Sequence, residues 1–155
     1  SGKIGELPIG VPNNLIPFIM QTATGKREVL TVFGNDYDTP DGYCIRDYIH
    51  VLDLANAHVL TLKYGMKKQH HPLILNVGTG KDIKIKDLAY LIAKKIDYKG
   101  EIIWDTSKPD GTPRKLLDVS RLKNLGWASS ISLEQGIEDT IETYINDSKI
   151  GKIRT

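Results

Sequence analysis

Arg46-Asp47-Tyr48-Ile49-His50-Val51-Leu52-Asp53-Leu54-Ala55 is the stretch on which the reading of this chain turns. Tyr48, Ile49 and Val51 favour a strand. From Leu52 onward, Leu54, Ala57, His58, Leu60, Thr61 and Leu62 mark out an apolar helical face. The pattern predicts a short strand running directly into a helix. Asp53 falls near the N-terminus of that helix, where a carboxylate complements the dipole. Arg46 stands just before the predicted strand. A guanidinium fixed there can grip a phosphate with two prongs. It can equally form a structural ion pair with Asp47 or Asp53, and residue chemistry alone leaves both readings open.

Composition bounds the classes around this stretch. A chain of 155 residues with 40% apolar content suits one modest domain or a piece of a larger one. The formal net charge of +2 gives little steering toward nucleic acid or a membrane surface. No run is long enough to span a bilayer and no charged-then-apolar leader is present, so the expectation is a soluble, cytoplasmic protein with no membrane partner. Basic residues are not clustered with aromatics, which argues against a nucleic-acid partner. The single cysteine, Cys44, excludes an internal disulfide and a cysteine-built zinc site. Ser1–Glu6 reads as the middle of a loop, so the chain is expected to begin inside a larger protein.

Outward from the central stretch, Gly5, Pro8, Gly10 and Pro12 punctuate an irregular segment. Asn13 or Asn14 then caps a helix with Pro17 in its first turn and Gly25 as its stop. Leu30–Phe33 alternates as a strand. The loop from Gly34 to Gly42 carries Asp36, Asp38 and Asp41, which serve turns better than calcium because no terminal glutamate follows. Lys67–His71 reads as a solvated loop in preference to a metal tract. Leu73–Val77 is an apolar run expected as a strand, ending in Gly78-Thr79-Gly80. A helix follows from about Ile85 to Ile96, with Ile85, Leu88, Ala89, Ile92 and Ile96 on one face. The glycine turn invites a dinucleotide reading, but it lacks the third glycine and the later acidic residue, and a tight turn accounts for it better. Glu101–Trp104 is a further strand and Leu116–Asp118 a short extended piece. Ser120–Leu125 is a short helix ended by Gly126. Ser132-Leu133-Glu134-Gln135 is a capping box opening a last helix striped by Ile137, Ile141, Tyr144 and Ile145. From Asp147 a charged, frayed tail is expected, leaving 1–146 as the domain.

The sequence Arg46-Asp47-Tyr48-Ile49-His50-Val51-x-Asp53-Leu54-Ala55 resembles the signature of extended short-chain dehydrogenase/reductase enzymes that act on nucleotide sugars. The resemblance implies that Arg46 holds the substrate's diphosphate. Residues 1–66 resemble the UDP-glucose 4-epimerases, through Gly10–Pro17, Val32–Gly42 and Cys44–Val51. By that resemblance Asn14 and Leu15 touch the diphosphate region at a helix start, itself a suitable anion site. Thr31 and Phe33 flank the uracil, and Tyr48 lines the pocket. The epimerases' Arg-x-Gly-Asp stretch is absent, since the matching place reads Pro109-Asp110-Gly111-Thr112. Residues 72–146 instead resemble the GDP-L-fucose synthases, through Asn76–Gly80, Trp104–Val119 and Leu125–Trp127. That resemblance assigns Lys115 to a GDP-sugar site. The two meet near residues 63–72, which suggests a recombined chain.

The family's catalytic pair is a Tyr and a Lys four residues apart, the lysine lowering the phenol's pKa. Tyr64 with Lys68 and Tyr90 with Lys94 have the spacing but stand in the wrong part of the chain, so no catalytic residue is assigned. The expected fold is α/β: the C-terminal portion of such an enzyme, with short strands and four or five helices, lacking the N-terminal cofactor-binding Rossmann part. No cofactor is expected in this chain, although the complete family uses NAD or NADP. The expected ligand is a UDP-hexose or a GDP-sugar, and the chain alone is expected to be inactive. Alternatives are a non-catalytic nucleotide-sugar-binding module and a purely structural one. Apolar surface after His50 and at Leu73 points to a homodimer or a swapped assembly.

Overall fold

The computed structural model describes residues 14–67, 74–107 and 111–151. In chain order the elements are α1 (Leu15–Ala23), β1 (Leu30–Phe33), β2 (Ile45–Arg46), α2 (Val51–Lys67), β3 (Ile83–Lys84), α3 (Ile85–Lys95), β4 (Ile102–Asp105), β5 (Arg114–Lys115), α4 (Ser120–Asn124) and α5 (Leu133–Lys149). The fold is thus α/β, with five helices and short strands, as expected. The expected loop at Ile4–Pro12, the Asn13 cap, the Lys68–His71 loop and the start of the Leu73 run lie outside the described residues.

Contacts divide the chain into two compact units, 1–44 with 84–113 and 137–155, and 45–83 with 114–136. In the first, β1 pairs in parallel with β4, Leu30 opposite Ile102 and Phe33 opposite Asp105. Alternation places Leu30 and Val32 in the core and leaves Phe33 49% exposed. Helix α1 packs on β1 and α3, burying Ile19 and Met20, while α3 buries Ile85, Leu88, Ala89 and Ile92. The periodicity of α3 therefore reads correctly from sequence.

Helix ends in this unit follow one device. Gly25, at φ +73°, ends α1; the Lys26 N–H donates to Gln21 O at 2.9 Å and the Gly25 N–H to Thr22 O at 3.0 Å. Those two bonds satisfy carbonyls the helix leaves open. Helix α3 ends the same way on a residue with a side chain. Asp97 lies at φ +53°, with Tyr98 N–H donating to Ala93 O at 2.9 Å and Asp97 N–H to Lys94 O at 3.2 Å.

In the second unit the sheet order is β3-β2-β5, and β2 and β5 run parallel. Its core gathers Ala57, Leu122 and Trp127, with Ile49, Leu60, Leu75 and Val77 packed against them. Several expectations are corrected here. The strand is Ile45–Arg46, so Arg46 lies within it and residues 47–50 are irregular. The β-formers Tyr48 and Ile49 fall short of a strand because Asp47 turns its carboxylate onto another segment, as described below. Residues 74–77 form no strand; Leu75 and Val77 pack against the core without a ladder partner, and Ile74 is 80% exposed. Residues 116–119 are irregular too, the pairing having moved to Arg114–Lys115. Helix α2 continues through Gly65 to Lys67, and His58 and Leu62 face outward.

Helix α5 begins in this unit. Its N-terminus is capped as expected, Gln135 N–H donating to Ser132 Oγ at 3.1 Å. The helix runs on to Lys149, past the expected fraying point at Asp147, and Ile145 is 37% exposed and not fully buried. Gly136 has a steric reason: a Cβ there would come within 2.9 Å of His50 Cδ2. His50 Nδ1 in turn accepts the Leu52 N–H at 3.2 Å, at the start of α2.

Asp53, 1% exposed, ties α2 to the segment before α5. Its Oδ1 accepts the Ser130 hydroxyl at 2.8 Å, and its Oδ2 accepts the N–H groups of Ser130 and Ile131 at 3.0 and 2.9 Å. Burial by itself would raise this carboxyl. The hydrogen bonds from Ile131 and Ser130, with the nearby His50, override that and hold it below the usual carboxylate value.

Two predictions follow from these ends and ties. Asp97→Gly relieves a left-handed backbone and raises the melting temperature, whereas Gly25→Ala lowers it, each by about 1 kcal/mol of stability in chemical denaturation. Equal effects of one sign would contradict the assignment. Asp53→Asn costs about 1–3 kcal/mol near neutral pH. A carboxyl held low in the folded state stabilises fully above its unfolded pKa, and loses that contribution as pH falls through the folded value. The gap between wild type and variant therefore narrows below about pH 4; a gap that persists unchanged into acid would overturn this account of Asp53.

Candidate functional site

The residues assigned by resemblance divide between the two units. Asn14, Leu15, Thr31 and Phe33 belong to the first; Arg46, Tyr48 and Lys115 belong to the second.

In the first unit, Asn14 is the N-cap residue of α1, with extended backbone at φ −102° and ψ 146°. Its side chain makes no cap hydrogen bond, although its carbonyl accepts the Phe18 N–H at 3.3 Å. Leu15 opens the helix. Thr31 and Phe33, two apart on β1, share the face opposite the core residues Leu30 and Val32. The acidic loop after β1 is built as turns. Tyr37 N–H donates to Gly42 O at 3.0 Å, and the Gly111 N–H donates to the Tyr37 hydroxyl at 3.2 Å. Asp41 pairs with Lys84 at 2.5 Å, and that hydrogen bond holds the Asp41 carboxyl below its usual value. Among the described residues no group of three or more His, Cys, Asp or Glu could hold a metal ion.

In the second unit, Arg46 and Lys115 are register partners across the parallel β2–β5 pair. Side chains at partner positions leave a sheet on the same face, so the two basic side chains start from one face. Arg46 is half-buried and its Nη1 donates to Ile45 O at 2.8 Å, while Lys115 is exposed. Tyr48 is half-buried in the irregular segment after β2. The two basic residues come from sequence segments with different resemblances, and the ladder brings them together.

Asp47 is the residue that sequence reasoning undervalued, treating it only as a possible ion partner for Arg46. Its N–H donates to Lys115 O at 3.1 Å. Its Oδ1 accepts the Thr79 N–H at 3.0 Å and the Thr79 hydroxyl at 2.6 Å, and its Oδ2 accepts the Gly80 N–H at 3.0 Å. A Cβ on Gly78 would lie 2.7 Å from Oδ2, so only glycine admits the carboxylate. The Gly78-Thr79-Gly80 turn is therefore an anion cradle, and its anion is internal. Such a turn does not fit a dinucleotide pyrophosphate, because the amides that would receive phosphate already hold Asp47. The signal was present in the sequence: a Gly-Thr-Gly turn offers converging N–H donors that need an acceptor.

The spaced Tyr and Lys pairs remain unassigned. Tyr90 is 49% exposed on α3, and Lys94 is exposed one turn later. Tyr64 lies on α2, and Lys68 is outside the described residues. A shallow groove of about 350 Å³ along the first unit is lined by Lys95, Glu138, Ile141 and Ile145 among others, and includes none of the assigned residues. Among the described residues no helix is long and apolar enough to cross a membrane.

Comparison with known proteins shows what the chain as a whole is similar to. Residues 4–78 match the NAD dependent epimerase/dehydratase family. The chain is 42% identical over 149 residues to a UDP-glucose 4-epimerase of Bos taurus, covering 90% of this chain and 40% of that protein. It is 46% identical over 111 residues to a GDP-L-fucose synthase of Escherichia coli, covering 68% of this chain and 35% of that one. The epimerase similarity thus extends well beyond residues 1–66. A crystal structure of UDP-glucose 4-epimerase from Stenotrophomonas maltophila, with bound NAD and formylated UDP-arabinopyranose, superposes with a TM-score of 0.85 at 34% identity. That match covers 95% of this chain and 44% of the other. The chain thus spans about 40% of the length of the curated epimerase it matches. The match at residues 4–78 and the relatives similar along 90% of its length make the chain similar to the NAD dependent epimerase/dehydratase family.

Proposed function

We propose that this chain is the C-terminal, nucleotide-sugar-binding portion of an epimerase or reductase, and that its ligand is a UDP-hexose. The observation that carries the reading is the register of Arg46 with Lys115. Two cations on one face of a short sheet suit a diphosphate, which presents two charged groups a few ångströms apart. Arg46 supplies the forked contact and Lys115 the point charge. Taken by itself, the first unit presents Thr31 and exposed Phe33 on one face of β1, residues that the resemblance assigns to the base, Phe33 offering a flat apolar face. The same resemblance assigns Asn14 and Leu15, at a helix start suited to an anion, to the diphosphate region, and Tyr48 to the pocket wall.

A GDP-sugar is the second reading, favoured by Lys115 and by the similarity to the GDP-L-fucose synthase. The chemistry of a complete relative belongs to a nicotinamide cofactor and a Tyr–Lys pair. We propose that the chain by itself holds no NAD(P), as the Asp47-filled turn supports, and turns over neither UDP- nor GDP-sugars. We also propose that it self-associates, since Leu62, Met66 and Ile74 are exposed at 65%, 79% and 80%.

The test is calorimetric titration of the whole chain with UDP-glucose and with a GDP-hexose. Saturable binding is expected, with UDP-glucose the tighter ligand. Arg46→Ala is expected to weaken it by about 1.5–3 kcal/mol, as for a lost charge-assisted contact, while leaving the circular dichroism spectrum unchanged. Absence of saturable binding to either ligand would reduce the chain to a structural module.

A further inference from the structure

Resting on that reading of the diphosphate site, we propose that Asp47 is its positioning residue: by seating its carboxylate in the Gly78–Gly80 turn, it fixes both Arg46 and Lys115 without itself touching the ligand. Four hydrogen bonds converge on this one residue. Its N–H meets Lys115 O at 3.1 Å, immediately behind the exposed lysine on β5. Its side chain takes three donors from Thr79 and Gly80 at 2.6–3.0 Å. Arg46 is the preceding residue on the same backbone. Loss of the carboxylate therefore frees the end of β2 on one side and the carbonyl contact to β5 on the other.

The need for such an anchor is local. The β2–β5 ladder is two residues long, and a pair of that length does not hold its own register. A slip of one residue would send Arg46 or Lys115 to the opposite face of the sheet. The second consequence is electrostatic. An aspartate next to an arginine ordinarily offers its negative charge to that arginine. Here both oxygens of Asp47 accept amide and hydroxyl donors on another segment, so its lone pairs are directed onto the glycine turn. Gly78 completes the device, because any side chain there would push the carboxylate out.

The experiment compares wild type, Asp47→Asn and Gly78→Ala by calorimetry against UDP and UMP. Thermal unfolding of each is followed in parallel. A positioning residue for the diphosphate moves UDP far more than UMP. Both substitutions are expected to weaken UDP by roughly tenfold, the scale of a small misplacement of binding groups, and to leave UMP within about twofold, so that the UDP-to-UMP preference falls. A general structural role would weaken both nucleotides in proportion, and that result overturns the proposal, as would unchanged UDP affinity in both variants. If Asp47→Asn does not fold, Thr79→Val, which removes one of the three donors, carries the same comparison and must lower the same preference. Wild-type chain that binds neither nucleotide defeats the underlying reading of the site. Binding by wild type with no fall in preference in the variants defeats the role of Asp47 alone.

Discussion

Asp47 is the constraint on which the second unit depends. A two-residue parallel ladder joins segments that are far apart in sequence, and closing such a loop costs entropy that two ladder positions do not repay. The carboxylate supplies what the ladder lacks, three donors from Thr79 and Gly80 together with a backbone bond to Lys115. These bonds involve an ionised acceptor and are stronger than neutral ones. They also decide the local path of the chain. Having committed its side chain to the glycine turn, residue 47 ends the strand, and the β-formers Tyr48 and Ile49 are left in an irregular connection.

Asp53 repeats the principle six residues on. It is buried, it accepts three hydrogen bonds from Ser130 and Ile131, and it fixes the start of α2 to the segment leading into α5. The signature stretch therefore carries two internal carboxylates, each holding a distant turn. The alternative ion-pair reading of Arg46 named these same two acids. Both have their oxygens engaged by amides and hydroxyls. Each acid thus joins segments far apart in the chain, Asp47 the end of β2 to the glycine turn and Asp53 the start of α2 to the segment before α5.

What was legible in the sequence was local. The 3.6-residue period of α3, the glycine stops of α1 and α4, the Ser132 cap and the alternation of Leu30–Phe33 all depend on neighbours within a turn or two, and all appear as read. What failed depended on partners elsewhere. Leu73–Val77 has strand composition, yet residues 74–77 have no ladder to join. Tyr48–Val51 has it too, and a tertiary hydrogen bond overrides it. The pairing at Arg114–Lys115 was missed because two exposed basic residues carry no strand signal. Of the candidate site, the residue identities came from resemblance. The side-by-side placement of Arg46 and Lys115 came only from the register, which no local pattern encodes.

The central claim is that these two cations act together on one diphosphate. A double-mutant cycle measures this directly: UDP affinity of wild type, Arg46→Ala, Lys115→Ala and the double variant. The account predicts that the two losses are not additive, with a coupling of about 0.5–3 kcal/mol, as for groups that share a partner. Strictly additive losses, or a Lys115→Ala variant that binds UDP as tightly as wild type, would contradict it.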